Sequence, residues 1–178
     1  MVLSRVVLFA TGVVVGARSL LEFAHPDYWD PVTALDWAAV WLTSIGWILF
    51  APSILWLGRL APTGSVIAAS LVVAAGAILT GAANVLEDGF GFKALGTFYV
   101  IGIMTAGLML PGLAWAFRSA HRPRLGWLSI ALFVGILLTN VGGGVLVALS
   151  LWSVAAFPAW YGSTRDASPS VDPVTSRS

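Results

Sequence analysis

The sequence predicts an all-α polytopic membrane protein, six transmembrane helices arranged as three hairpins with both termini in the cytoplasm. Three observations lead there. Apolar side chains make up 58% of the 178 residues and charged ones only 10%, and the mean hydropathy is +0.92. That leaves too little polar surface to cover a water-soluble globule of this size. The apolar residues collect into long stretches that suit a hydrocarbon core of roughly 30 Å. The cations between the stretches alternate in density, as the positive-inside rule requires of a chain that crosses repeatedly.

The first span covers about residues 4–21 and the second about 32–57, with length to spare for tilt. The third is 64–86 and the fourth 94–117, followed by the basic turn Arg118, His121, Arg122, Pro123 and Arg124. One apolar run then fills 125–161. As a single helix it would be roughly 55 Å long at about 1.5 Å per residue, too long for one crossing and right for two short ones. Asn140, Gly142, Gly143 and Gly144 supply the break, because consecutive glycines make helix continuation costly. The fifth span is therefore 125–139, short enough to be re-entrant, and the sixth 144–161.

Arginine placement supports this count. With six spans, Arg5, Arg59, Arg118, Arg122, Arg124, Arg165 and Arg177 lie inside and only Arg18 and Lys93 outside. Merging the last two spans would move Arg165 and Arg177 outside and weaken the bias. Tyr28, Trp29, Trp37 and Trp41 form an outer aromatic belt, and Trp56, Trp115, Trp127, Trp160 and Tyr161 an inner one. Arg5, the apolar 6–15 and the small Gly16 and Ala17 also fit a signal peptide cut near Arg18, which would leave five spans in the same orientation. Residues 1–162 form one helical bundle, and 163–178, rich in Ser, Pro, Asp and Thr, a disordered polar cytoplasmic tail. The predominance of arginine over lysine, with abundant alanine, glycine and valine, fits a GC-rich bacterial genome and hence an inner membrane.

Small residues at helical spacing mark close helix contacts in lipid. Gly12 and Gly16 form one such pair, and Ser70, Ala74, Ala77, Gly81 and Asn84 line one face of the third span, which makes it the expected centre of the bundle. Pro52 and Pro111 are expected to kink the second and fourth helices. Pro52, Trp56 and Arg59 recur with identical spacing as Pro111, Trp115 and Arg118, which suggests a repeated hairpin or parallel interface preferences.

Polar residues near the spans are the only local pointers to function. Arg18 and Glu22 are four apart and placed to pair. Asp36 begins the second helix, Asn84, Glu87 and Asp88 finish the third, and Thr139 and Asn140 close the fifth. If the hairpins bundle, Arg18, Glu22, Asp36, Asn84, Glu87, Asp88 and Asn140 converge on one face as an extracytoplasmic polar vestibule that could bind a cation or small molecule. The plainer reading gives Arg18 to Glu22 or Glu87 as counter-ion and makes Asp36 a helix cap.

Other chemistries find little support. There is no cysteine for a disulfide, thiolate metal site or thiol nucleophile. His25 and His121 fall on opposite sides, which disfavours haem or a two-histidine metal site. Glu22, His25, Asp27 and Asp30 read as a solvated loop before they read as metal ligands. The sole lysine, Lys93, lies at an interface, and the serines within spans have no adjacent base. No cofactor, metal or nucleic-acid partner is expected; the partners are the bilayer and a membrane protein or second copy of the chain. Three functions stay open: a non-enzymatic bundle or accessory subunit of a membrane complex, favoured because nothing intramembrane demands chemistry; a small-molecule or ion transporter; and a membrane-embedded lipid-modifying enzyme.

Overall fold

A computed structural model describes residues 2–24 and 31–157. Those residues form six α-helices and no strand: α1 Val2–Ala24, α2 Ala34–Gly58, α3 Gly64–Asn84, α4 Gly96–Ser119, α5 Pro123–Leu137 and α6 Gly143–Ala156. Four stretches, Leu3–Glu22, Ala34–Gly58, Gly64–Gly89 and Lys93–Ser119, are long and apolar enough to cross a membrane. The other two, α5 and α6, have 15 and 14 residues, or about 22 and 21 Å, less than the roughly 30 Å of a hydrocarbon core. The expected signal-peptide cut near Arg18 lies inside α1, and α5 ends at Leu137, two residues short of the expected fifth span 125–139. The polar tail, His25, Asp27, Asp30, Tyr28, Trp29, Trp160 and Tyr161 lie outside the described residues.

Local sequence accounts for the helix ends. Thr33 caps α2: Asp36 N–H donates to Thr33 Oγ1 at 3.3 Å, while Thr33 N–H and Val32 N–H donate to Asp36 Oδ2 at 2.7 and 3.0 Å, a capping box. Thr63 caps α3 through Val66 N–H. At the end of α4, His121 adopts φ +57°. Arg122 N–H reaches Phe117 O at 2.9 Å and His121 N–H reaches Arg118 O at 3.0 Å, the two bonds of a Schellman turn. Pro123 then starts α5 at a position where its missing N–H costs nothing. The α5–α6 reversal turns on Gly142 at φ +90°, which a side chain would strain. α6 ends at extended Phe157, since a residue preceding proline is pushed out of helical geometry. Pro52 and Pro111 sit inside uninterrupted helices.

The six helices form a closed ring. Each packs on its neighbours in sequence, and α6 returns to α1. Small residues set each approach. Along the closing seam, Gly12 lies under Trp152, Gly16 meets Ala148, and Gly144 leaves room for Ser19 Oγ, so both helices present a small residue every turn. Trp152 Nε1–H donates to Phe9 O at 3.1 Å across the same seam. Between α3 and α4, a methyl added at Gly76 would lie 2.7 Å from Ala106 N and one at Gly102 2.6 Å from Thr80 N.

The ring corrects the expected position of α3. It has the largest buried share of the four long spans, yet it is one stave between α2 and α4 and not the centre. Its predicted small face does pack: Ser70 sits on Gly58 and Gly81 on the Ser44 carbonyl. The second small face, Gly76 and Thr80 against α4, makes α3 flanked on two sides. The proposed repeat is also only skin-deep, because Trp56 is half-buried against the core and Trp115 is 68% exposed. Exposed Trp127 carries the Arg118 guanidinium over its ring at 4.4 Å.

The two ends of the ring are filled differently. Most of the largest fully buried side chains, among them Leu8, Ile54, Leu57, Leu110, Leu113, Phe117, Leu125 and Leu151, belong to the half that carries the α2–α3 and α4–α5 turns. That half is a packed apolar plug. The half that carries the π-helical turn Val85–Gly89 after α3 and the α5–α6 turn is not closed in this way.

Candidate functional site

Within that second half lies a cavity of about 60 Å³. Its lining comes from five of the six helices: Val15, Arg18 and Ser19 of α1, Leu42, Thr43, Gly46, Trp47 and Phe50 of α2, Tyr99 and Ile103 of α4, Ile136 of α5, and Gly144 and Val147 of α6, with Thr139 from the turn between. The cavity is therefore inside the ring. Phe50 and Val147 also belong to the packed core, which joins the cavity to the plug.

Apolar walls surround a short polar strip. The Arg18 guanidinium pairs with Glu22 one turn on, both side chains only 11% exposed, and its Nε–H donates to Thr43 Oγ1 at 3.2 Å. The Thr43 hydroxyl in turn donates to Ala39 O at 2.8 Å. The i, i+4 spacing on α1 makes the pair possible, and the α1–α2 packing brings Thr43 to it. Half-buried Tyr99, across the cavity, lies within electrostatic reach of Arg18, Glu22, Glu87 and Asp88. Trp47 and Phe50 meet edge to face at 5.9 Å on the α2 wall.

Ser19 is different. It is 1% exposed, it lines the cavity, and its Oγ has no hydrogen-bond partner among the described residues. A buried hydroxyl left unsatisfied costs roughly 1–3 kcal/mol, so native proteins rarely keep one without a reason.

The predicted vestibule residues do not share one role. Arg18 and Glu22 are at the cavity, and Glu87 and Asp88 stand beside it on the π-helical turn. Glu87 packs its carboxylate over Gly96, at the start of α4, where the helix dipole favours a negative charge. Asp88 faces Lys93 at 3.7 Å. Asp36 is absorbed in the capping box of α2. Asn84 points away from the cavity: its Nδ2 donates to Ser44 Oγ at 2.8 Å and Val40 O at 3.2 Å, tying α3 to α2. The side chain of Asn140 lies outside the described residues. Sequence reasoning missed Ser19, Thr43 and Tyr99. Hydroxyls cost little within a span, so hydropathy gives them no signal, and only the ring brings them to one place. It also missed Thr11, whose hydroxyl donates to Val7 O at 2.7 Å and meets Ser53 Oγ at 2.9 Å inside the α1–α2 contact.

No group of three or more His, Asp or Glu that could hold a metal occurs among the described residues. Comparison of the chain with protein-family models, curated proteins and solved structures gives no match.

Proposed function

We propose that this protein is a non-enzymatic membrane bundle that holds a small molecule in its axial cavity. It crosses a bacterial inner membrane six times with both ends cytoplasmic, and the cavity lies in the extracytoplasmic half. The observation that carries the reading is the asymmetry of the ring: one half is plugged by large apolar side chains, while the other keeps a cavity lined from five helices around Arg18. A space of that kind, apolar with a few convergent polar groups, is the usual form of a ligand site. The plug also favours binding over passage, since a transported solute would have to cross that packed half. As an accessory subunit, the same bundle would present its ligand or its outer face to a larger complex.

Native mass spectrometry of the protein released from its own membranes in a mild detergent tests the proposal. The expected spectrum is the lone chain with a small-molecule adduct that Arg18→Met weakens. A bare chain would overturn the binding reading, and a stoichiometric second polypeptide would replace it with the accessory-subunit reading.

A further inference from the structure

We infer that a groove on the outside of the α1–α6 seam, at the plugged end of the ring, holds one anionic phospholipid of the surrounding membrane, its phosphate on Arg5 and an acyl chain over Phe9 and Trp152. This site rests on the chain's place in a bilayer and not on the axial cavity. Above it the seam is closed by Gly12, Gly16 and Gly144. Below Gly12 the facing residues are Arg5, Val6 and Phe9 of α1 and Trp152, Ala155 and Ala156 of α6, and they leave a groove of about 410 Å³. It opens outward, since Val6 and Phe9 are 55% and 56% exposed. Its floor is fixed: Phe9 and Trp152 stack at 5.8 Å, and Trp152 Nε1–H donates to Phe9 O at 3.1 Å.

The order of polarity along the groove is that of a phospholipid. Arg5 and Phe9 are four apart on α1 and share a face, so the cation lies toward the helix end and the aromatic ring one turn deeper. On α6, Ala156 lies at the helix end and Trp152 one turn deeper. A headgroup at Arg5 therefore leads its chain onto the rings. Charge selects the headgroup. Arg5, Arg59, Arg118, Arg122 and Arg124 all belong to this end, whereas the described carboxylates, Glu22, Asp36, Glu87 and Asp88, belong to the other. Residues 158–178 carry two arginines and two aspartates and leave that balance unchanged. A guanidinium binds phosphate through paired hydrogen bonds, and uncompensated arginines around it favour a net negative lipid over a zwitterionic one. A second copy of the chain in the same orientation would instead set arginines against arginines.

The test is native mass spectrometry of the full chain released from nanodiscs of equal parts phosphatidylglycerol and phosphatidylethanolamine with the same acyl chains, reading which lipid stays attached. Phosphatidylglycerol is expected to be retained about fivefold over phosphatidylethanolamine, the worth of one arginine beside an anionic headgroup. Arg5→Gln should remove that preference. Arg59→Gln, at an exposed position of the α2–α3 turn outside the groove, should keep it. Ala156→Phe fills the groove with every charge left in place and should lower retention of both lipids. Equal retention of the two lipids by the unaltered chain overturns the headgroup class. Equal losses in Arg5→Gln and Arg59→Gln, or full retention in Ala156→Phe, would show a diffuse attraction to the basic end and overturn the groove. A benzophenone-bearing residue in place of Val6 identifies the occupant in the same nanodiscs: a phospholipid adduct supports the assignment, and a cross-link to residues 158–178 or to a second copy of the chain overturns it. A chain that does not enter nanodiscs would undo the membrane reading itself, and the groove with it.

Discussion

Arg18 is the residue on which the cavity end turns, because it is an ion held where solvent barely reaches. Removing one member of such a pair strands the other. Arg18→Met is expected to cost about 3–5 kcal/mol of stability, while Arg18→Met with Glu22→Met should recover most of that, since apolar side chains of similar volume replace a buried pair at little cost. Thermal unfolding in detergent reads both, and equal losses for the single and double variants would show that the pair is not coupled. Asn84 belongs to packing instead. Asn84→Leu should cost roughly 0.6–2 kcal/mol, the usual range for an interhelical hydrogen bond in a membrane protein, and leave ligand binding unchanged. At this scale the sequence was legible for ions and opaque for hydroxyls. The four-residue spacing of Arg18 and Glu22 announces a pair, whereas Ser19 and Tyr99 carry no local sign that they face a cavity.

Among the elements, turn chemistry decides where each helix stops. Thr33→Ala deletes half of the capping box and should lower stability by about 1 kcal/mol, measured by the same unfolding midpoint. His121 holds a left-handed conformation that costs an L residue roughly 1–2 kcal/mol. His121→Gly should therefore raise stability, by about 0.5–1 kcal/mol once the added freedom of the unfolded chain is counted; a lower midpoint would mean that the imidazole makes contacts worth more than the strain. The glycines of the α5–α6 turn were legible because a break was needed somewhere in an apolar run too long for one crossing. The π-helical turn Val85–Gly89 was not, since its residue types do not set it apart from a continuing α-helix. It moves Glu87 onto the start of α4.

The molecule as a whole is a ring whose membrane threading can be tested directly. The chain has no native cysteine, so single substitutions give clean labelling sites. Pro62→Cys and His121→Cys should react with a membrane-impermeant maleimide only from the cytoplasmic side, and Phe92→Cys and Val141→Cys only from the outside. Val141 is the decisive position. It is 73% exposed in the α5–α6 turn, and protection from both sides would make α5 and α6 a re-entrant hairpin in place of two crossings.

The sequence by itself determined that the chain is helical, with stretches long and apolar enough to cross a membrane, where its helices run, and which ends carry charge, because hydropathy, length and arginine placement are properties of the chain read in one dimension. It also pointed to Gly12 and Gly16 as a contact, without naming a partner. Only the tertiary structure decided that α6 is that partner, that the three hairpins close into a ring, and that one half is plugged and the other hollow. Those outcomes depend on which small residues meet across helices far apart in sequence, and two glycine-rich faces on one helix look alike until their neighbours are in place.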